Sequence, residues 1–233
     1  MTTWSSAMMF KRFFRSLSAV GLAVFALLSV FSPPAFSSDP NIPHEHQGIL
    51  NTYSGAPPTV AISRQEMVQL MNGETVMKQV DQGAGGQGVA IFWVHATPDV
   101  VMDVVLDFNQ YPNWIDSLNE TELYSGPNCS PCVRMKTRVL GFGVEWYNRH
   151  QQNREERWIT WTLDYSRNSD LDDSVGFWRF TPARREGWTQ VVYSIDVQLK
   201  GWVPGIVRRM LVSSGLEDAT LWVKEQSEAR AGH

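Results

Sequence analysis

The sequence predicts an α+β domain: a curved antiparallel sheet of about seven strands wrapped around a long C-terminal helix, with two short helices after the first strand. Three observations carry this. Between Glu120 and Leu199, alternating apolar runs follow one another with turns and no helical pattern between them, as in an antiparallel meander. From Gly201 onward, a stretch entered through Pro204 has helical periodicity. Of the 233 residues, 43% are hydrophobic, with ten Trp and eleven Phe, which suits one sizeable core and more rings than a core needs.

Residues 1–37 read as a signal peptide. Lys11, Arg12 and Arg15 form a basic start, Leu17 to Phe31 an apolar run of 15, and Ala35-Phe36-Ser37 puts small residues at −3 and −1 of a cleavage site. That run falls short of the ~20 residues that span a bilayer. Export to a periplasmic or other extracytoplasmic compartment is therefore expected, the alternative being membrane association through an uncleaved segment at 17–31. Removing three of the 20 basic groups and none of the 24 acidic ones shifts the net charge from −4 to −7. So acidic a chain has no electrostatic footprint for nucleic acid or anionic lipid surfaces, which leaves a neutral or apolar partner.

Residues 38–60 are polar and proline-punctuated, a flexible or extended leader. His44-Glu45-His46 has metal-ligand residue types, but without a rigid frame or a fourth ligand no metal is expected. The domain itself, 61–233, opens with a short helix over 61–73: Ser63 and Glu66 have capping-box spacing, Met67, Leu70 and Met71 follow helically, and Gly73 stops it. Glu74 to Val80 alternates weakly as a further candidate strand. The glycine-rich stretch 82–88 lacks a Lys-Ser/Thr pair and precedes a strand, which makes it a turn and not a phosphate cradle. Val89 to His95 is that strand. Thr97, Pro98 and Asp99 then open a helix with Val101, Val104, Val105 and Phe108 along one side, followed by a loop or second short helix with Tyr111 and Trp114.

Six strands complete the meander: Glu120–Tyr124, Val133–Leu140, Val144–Gln151, Arg157–Tyr165, Val175–Pro182 and Trp188–Leu199. Period-2 alternation puts Val133, Met135, Thr137, Val139, Ile159, Trp161, Leu163, Tyr165, Val191, Tyr193, Ile195, Val197 and Leu199 on one dry face. Lys136, Arg138, Thr162, Asp164, Gln190, Asp196 and Gln198 fall on a wet one. The final helix is needed as cover. Its apolar stripe changes sides, from Ile206, Val207, Met210 and Leu211 to Leu216, Ala219 and Val223, with a second capping box at Ser214-Gly215-Leu216-Glu217. A kink or two segments are expected there, the first roofing a cavity, the second packing elsewhere, with Gly215 as hinge.

Three segments in this order resemble the START-like (SRPBCC) helix-grip superfamily. They are Val94-His95-Ala96-Thr97-Pro98, Asp107-x3-Tyr111-Pro112-x-Trp114, and Gly201-x2-Pro204 with Val207-Arg208-Arg209. The nearest flavours are the polyketide cyclase/dehydrase and coenzyme Q-binding families, over roughly residues 75–230. The resemblance implies an elongated cavity between sheet and C-terminal helix, which members use for lipids, sterols, quinones or polyketides. Most bind or transport and a minority catalyse. It implies no cofactor. With it, the ring set becomes a ligand-binding list: Phe108, Tyr111 and Trp114 over one end, Met135, Trp146, Trp161, Trp178 and Tyr193 from strands, Met210 and Leu211 from the helix. The export signal, the leader helix and a CxxC depart from the pattern.

Cys129-Ser130-Pro131-Cys132 lies between strands without a following helix, so in an exported chain a local disulfide is expected over a redox or metal site. Asp170-Leu171-Asp172-Asp173 lacks the EF-hand plan and reads as a solvated loop. His95 and His150 are candidate general bases, neither with an identifiable carboxylate partner. The expected function is an exported, non-catalytic binding or transfer protein for an apolar small molecule or lipid. A cyclase/dehydrase-type enzyme using the same cavity and a partner-binding scaffold are the alternatives.

Overall fold

The computed structural model describes residues 38–81, 85–127, 129–139, 142–201 and 205–233, with the backbone alone at 79–81, 85–86, 139, 142, 205–215 and 218. Eight strands form one antiparallel sheet, β1 (Val76–Asp81), β2 (Gly85–Val94), β3 (Leu118–Tyr124), β4 (Cys132–Val139), β5 (Phe142–Asn153), β6 (Trp158–Leu163), β7 (Leu171–Pro182) and β8 (Thr189–Leu199). Their order is β1-β2-β8-β7-β6-β5-β4-β3. The meander is thus consecutive from β3 to β8, and β2 joins it along β8, with Val94 opposite Thr189 and Gly85 opposite Gln198. The weakly alternating stretch after Gly73 supplies the eighth strand.

Among the described residues, four helices accompany the sheet. In α1 (Arg64–Met71) the capping box is complete, since Ser63 Oγ accepts from the Glu66 amide at 3.2 Å and Glu66 Oε2 from the Ser63 amide at 2.7 Å. Between β2 and β3 lie α2 (Pro98–Val105), a 3-10 turn (Phe108–Gln110) and α3 (Tyr111–Trp114). Thr97 occupies the N-cap of α2 without a side-chain hydrogen bond, so Pro98 in the first turn sets the entry. The last helix, α4 (Gly205–Ala231), runs as one element of 27 residues, and the expected division into two segments is absent. Together these make the helix-grip α+β fold.

The sheet is covered on its inner face and, over β1, β2, β7 and β8, on its outer face as well. Ala90, Phe92 and Val94 point inward with Val191, Tyr193, Trp161 and Trp178, and α2 and α4 close that core through Val101, Val104, Leu216, Ala219, Trp222 and Val223. The alternate residues Ile91, Trp93, Phe177 and Val192 point outward, where Leu70 of α1 and the leader residues Tyr53, Val60 and Ile62 cover them. The expectation of one wet face is therefore corrected for Asp164 and Gln198, only 2% and 8% exposed, while Arg138 on β4 is exposed as expected. Pairing makes Asp164 tolerable there, because it accepts from Tyr124 Oη at 2.8 Å and Ser166 Oγ at 2.7 Å.

Expected as a flexible or extended leader, residues 38–60 run as a strap fixed at several points. Asp39 and Asn168 exchange backbone hydrogen bonds at 2.9 and 3.0 Å, and the His44 amide donates to the Tyr165 carbonyl at 3.0 Å. Farther along, Arg179 Nη1 donates to the Pro57 carbonyl at 2.6 Å, and the Tyr53 ring meets Phe177 edge-on at 5.2 Å. The acidic stretch 170–173 is correspondingly not a solvated loop: Asp170 and Asp173 are buried, and β7 begins at Leu171.

Candidate functional site

Strand periodicity builds a cavity between the inner face and α4. On β5, every second residue from Val144 to His150 faces it: Val144, Trp146, Asn148 and His150. Met135 and Thr137 of β4, Trp161 of β6 and Tyr193, Ile195 and Val197 of β8 join by the same rule. Leu171 and Ser174 of β7 are three apart yet both face in, because a register irregularity between Leu171 and Asp173 resets the alternation. Phe108, Tyr111 and Ile115 line one end, Ala219 and Trp222 of α4 form the roof, and the cavity volume is about 210 Å³.

The walls are rings held by rings. Trp178 stacks on Tyr193 with centroids 4.1 Å apart, Tyr111 meets Trp222 at 4.8 Å, and Phe108 meets His150 at 4.8 Å. Tyr111 is locked in place by donating its hydroxyl to the Val105 carbonyl at 2.6 Å. Trp161 fits because its cross-strand partner is Gly176, where a Cβ would collide with the indole.

The polar groups of the wall are few and neutral. Burial holds the His150 imidazole down to about 3, with the Pro131 carbonyl opposing only in part, so the ring is uncharged at neutral pH. Burial pushes the Tyr193 phenol up. Asn148 Oδ1 and His150 Nδ1 are buried and lack a hydrogen-bond partner of good geometry. Among the described lining residues there is no Asp, Glu, Lys or Arg.

Of the residues expected at a ligand site, Phe108, Tyr111, Met135, Trp146, Trp161, Trp178 and Tyr193 line the cavity. Trp114 stands behind the wall, stacked on Trp222 at 5.7 Å. For Met210, Leu211 and the Gly215 hinge only the backbone is described, as part of α4, so the side-chain expectations lie outside the described residues. The Leu216–Val223 stretch, expected to pack elsewhere, belongs to the inner core, and Ala219 and Trp222 form the roof. The reason sits on β2, where Gly88 leaves room for Leu216: a Cβ there would run into Leu216 Cδ1. Sequence reasoning missed Trp222 and Asn148. Both carried a signal, Trp222 three residues after Ala219 on the same stripe, Asn148 midway between Trp146 and His150.

His95 lies away from the cavity, stacked on Trp188 at 4.7 Å, with its amide donating to Glu228 Oε1 at 3.1 Å. A disulfide joins Cys129 and Cys132. The turn it closes holds the β5 backbone at the cavity, since the Ser130 amide donates to the His150 carbonyl at 3.0 Å and the His150 amide to the Pro131 carbonyl at 2.9 Å.

Among the described residues, one cluster has metal-ligand chemistry: ligand atoms of His44, His46 and Asp172 lie within 4.8 Å of one another. Their hydrogen bonds make it a clasp for the strap. His46 Nδ1 accepts from the Gly48 amide at 3.0 Å, which leaves Nε2–H to donate to Asp172 Oδ1 at 2.9 Å. His44 is arranged alike, with Nε2 2.9 Å from the Asp172 carbonyl and Nδ1 3.5 Å from the Ser169 amide, and burial lowers its pKa. In those tautomers neither ring offers Nε2 a lone pair for a cation.

Comparison with known proteins bears on this geometry. A family profile described as polyketide cyclase / dehydrase and lipid transport matches residues 94–220. The chain belongs to this family. Comparison with curated proteins gives no match. Among solved structures, the chain is similar to the Zhui aromatase/cyclase of Streptomyces sp. R1128, with TM-score 0.52 and 19% identity over 66% of this chain and 96% of that one. It is also similar to a START superfamily protein of Mycobacterium smegmatis, with TM-score 0.50 and 18% identity over 66% and 97%. A STAR-related lipid transfer protein fragment of Xanthomonas axonopodis gives TM-score 0.50 and 12% identity over 66% and 92%. At such identities the structures share the START-like fold. No helix among the described residues is long and apolar enough to cross a membrane.

Proposed function

We propose that this family member is an exported binding or transfer protein that holds a compact apolar molecule between the sheet and α4. The observation that carries the reading is the cavity wall, which is ring-lined, keeps its volume of about 210 Å³ open, and has no charged side chain among the described residues. Export is supported by the basic start, the apolar run and the small residues ahead of position 38. The family description names lipid transport, and one similar structure is a lipid transfer protein. A cyclase/dehydrase reading draws on the other half of that description and on the Zhui aromatase/cyclase. His150 is its one candidate base at the cavity, and among the described residues no carboxylate bonds to its ring.

The test is native mass spectrometry of protein purified from its host, followed by solvent extraction. A non-covalent apolar adduct that leaves on extraction and rebinds is expected, and N-terminal sequencing is expected to begin at Ser38. An interior that is empty in the host-purified protein and takes up no apolar compound afterwards overturns the binding reading.

A further inference from the structure

Resting on the cavity as a ligand site, we propose that Asn148 and His150 form a hydrogen-bonding end of it, selecting a neutral ring compound with one polar oxygen over a carboxylate of the same shape. The two residues are i and i+2 on β5, so both face the cavity, with their Cβ atoms about 7 Å apart. Each is only 4% exposed, and Asn148 Oδ1 and His150 Nδ1 have no partner of good geometry in the protein, the Pro131 carbonyl acting on the imidazole only in part. Native proteins leave few buried polar groups in this state, and here two lie side by side.

Other polar groups around the cavity show the contrast. Thr137 donates its hydroxyl to the Ser117 carbonyl, Trp161 Nε1 donates to Ser174 Oγ at 3.3 Å, and Tyr111 is bonded to Val105. Those groups serve the fold. The unpaired Asn148 Oδ1 and His150 Nδ1 cost the fold unless a ligand completes them.

The chemistry of the pair defines what completes it. Asn148 Oδ1 can only accept, so what completes it must donate, which a hydroxyl does and a ketone does not, and the neutral imidazole can pair with the same hydroxyl. A carboxylate would enter a site with no cation among the described lining residues, so its desolvation would go unopposed. Rings flank this end, Phe108 at 4.8 Å and Trp161 at 6.1 Å from the imidazole, which favours a planar ligand beside the polar oxygen. The volume of about 210 Å³ lies below the roughly 300–1,000 Å³ of most ligand sites, so the ligand is compact.

Three probes with one bicyclic skeleton test this on the purified, solvent-extracted protein: naphthalene, 2-naphthol and 2-naphthoate, titrated at pH 7.5 with tryptophan fluorescence and calorimetry as readouts. The expected order is 2-naphthol about tenfold tighter than naphthalene, and 2-naphthoate weaker than 2-naphthol by more than that factor. In the Asn148→Leu/His150→Phe variant the preference for 2-naphthol over naphthalene is expected to vanish while naphthalene binding persists. The same variant is expected to melt no lower than the wild type, because it removes unsatisfied groups; a fall in its melting temperature would make the pair structural and overturn the proposal. Should the variant not fold, the wild-type series still decides. Naphthalene bound as tightly as 2-naphthol overturns the polar end and leaves the binding reading standing. No binding of any of the three overturns both.

Discussion

Asp173 Oδ2 accepts the backbone amide of Leu50 at 2.8 Å on the sheet's outer side. The same oxygen accepts the Ile49 amide at 2.7 Å, while Oδ1 takes the Tyr165 hydroxyl at 2.6 Å and the Ser174 amide at 2.8 Å. Four donors on one fully buried carboxylate explain how it stays there, and they tie the strap to the start of β7, whose Leu171 and Ser174 line the cavity. Asp173→Ala removes every acceptor at once and strands the donors. The expected loss is about 3 kcal/mol in urea denaturation, with Asp173→Asn losing less, and with new protease cleavage within residues 38–60 under native conditions.

Trp222 anchors the roof. It contacts Tyr111, Trp114 and Trp178 at centroid distances of 4.8, 5.7 and 6.3 Å and is 4% exposed. Trp222→Ala is expected to cost about 3–5 kcal/mol, and Trp222→Phe clearly less. Because the void opens into the cavity, the Ala variant is also expected to admit bulkier ring compounds than the wild type, measurable in competition with a fluorescent apolar probe.

Much of this was legible in the sequence, for identifiable reasons. Strand parity depends only on the two-residue period, so Met135, Trp161 and Tyr193 could be placed on the inner face from spacing alone. The outer face was misjudged because a strap of polar, proline-rich sequence has no periodicity, and its hold comes from backbone amides and from side chains such as Asp173 that read as solvent-facing. The Leu216–Val223 half of α4 was placed away from the cavity because helical phase gives relative faces and not which face meets the sheet. Gly88 decides that, by letting Leu216 approach β2, and a glycine's role in a tertiary contact is invisible until its partner is known.

Gly176 makes the complementary prediction for the floor. It pairs with Trp161 across β6 and β7, and the indole lies over the space a side chain would fill. A Cβ there would also meet the Ser194 carbonyl, which is backbone and cannot swing away. Gly176→Ala must therefore displace Trp161 into the cavity. A loss of about 1–3 kcal/mol is expected, with apolar-probe affinity falling more steeply than for a substitution of equal destabilisation outside the cavity. Unchanged probe affinity would mean that the indole does not yield into the site.

The buried imidazole of His150 makes stability depend on pH with a definite sign. Its folded value of about 3 lies below the 6.5 of the unfolded chain, so the unfolded state takes the proton first as pH falls. The stability it contributes is complete above pH 6.5 and is lost progressively toward pH 3, at up to about 1.4 kcal/mol per pH unit. Other groups titrate too: His44 is lowered in the same sense, while Asp170 and Asp196 are raised by burial and act oppositely at lower pH. A difference curve removes them. Wild type minus His150→Phe, read by urea denaturation between pH 6.5 and 5, keeps the His44 contribution in both proteins and stays above the range of the carboxyls. The wild type is expected to lose stability faster than the variant across that window. Parallel curves would show that the His150 ring can take a proton in the folded state, by reaching water or a carboxylate, and the neutral character assigned to that end of the cavity would fall with it.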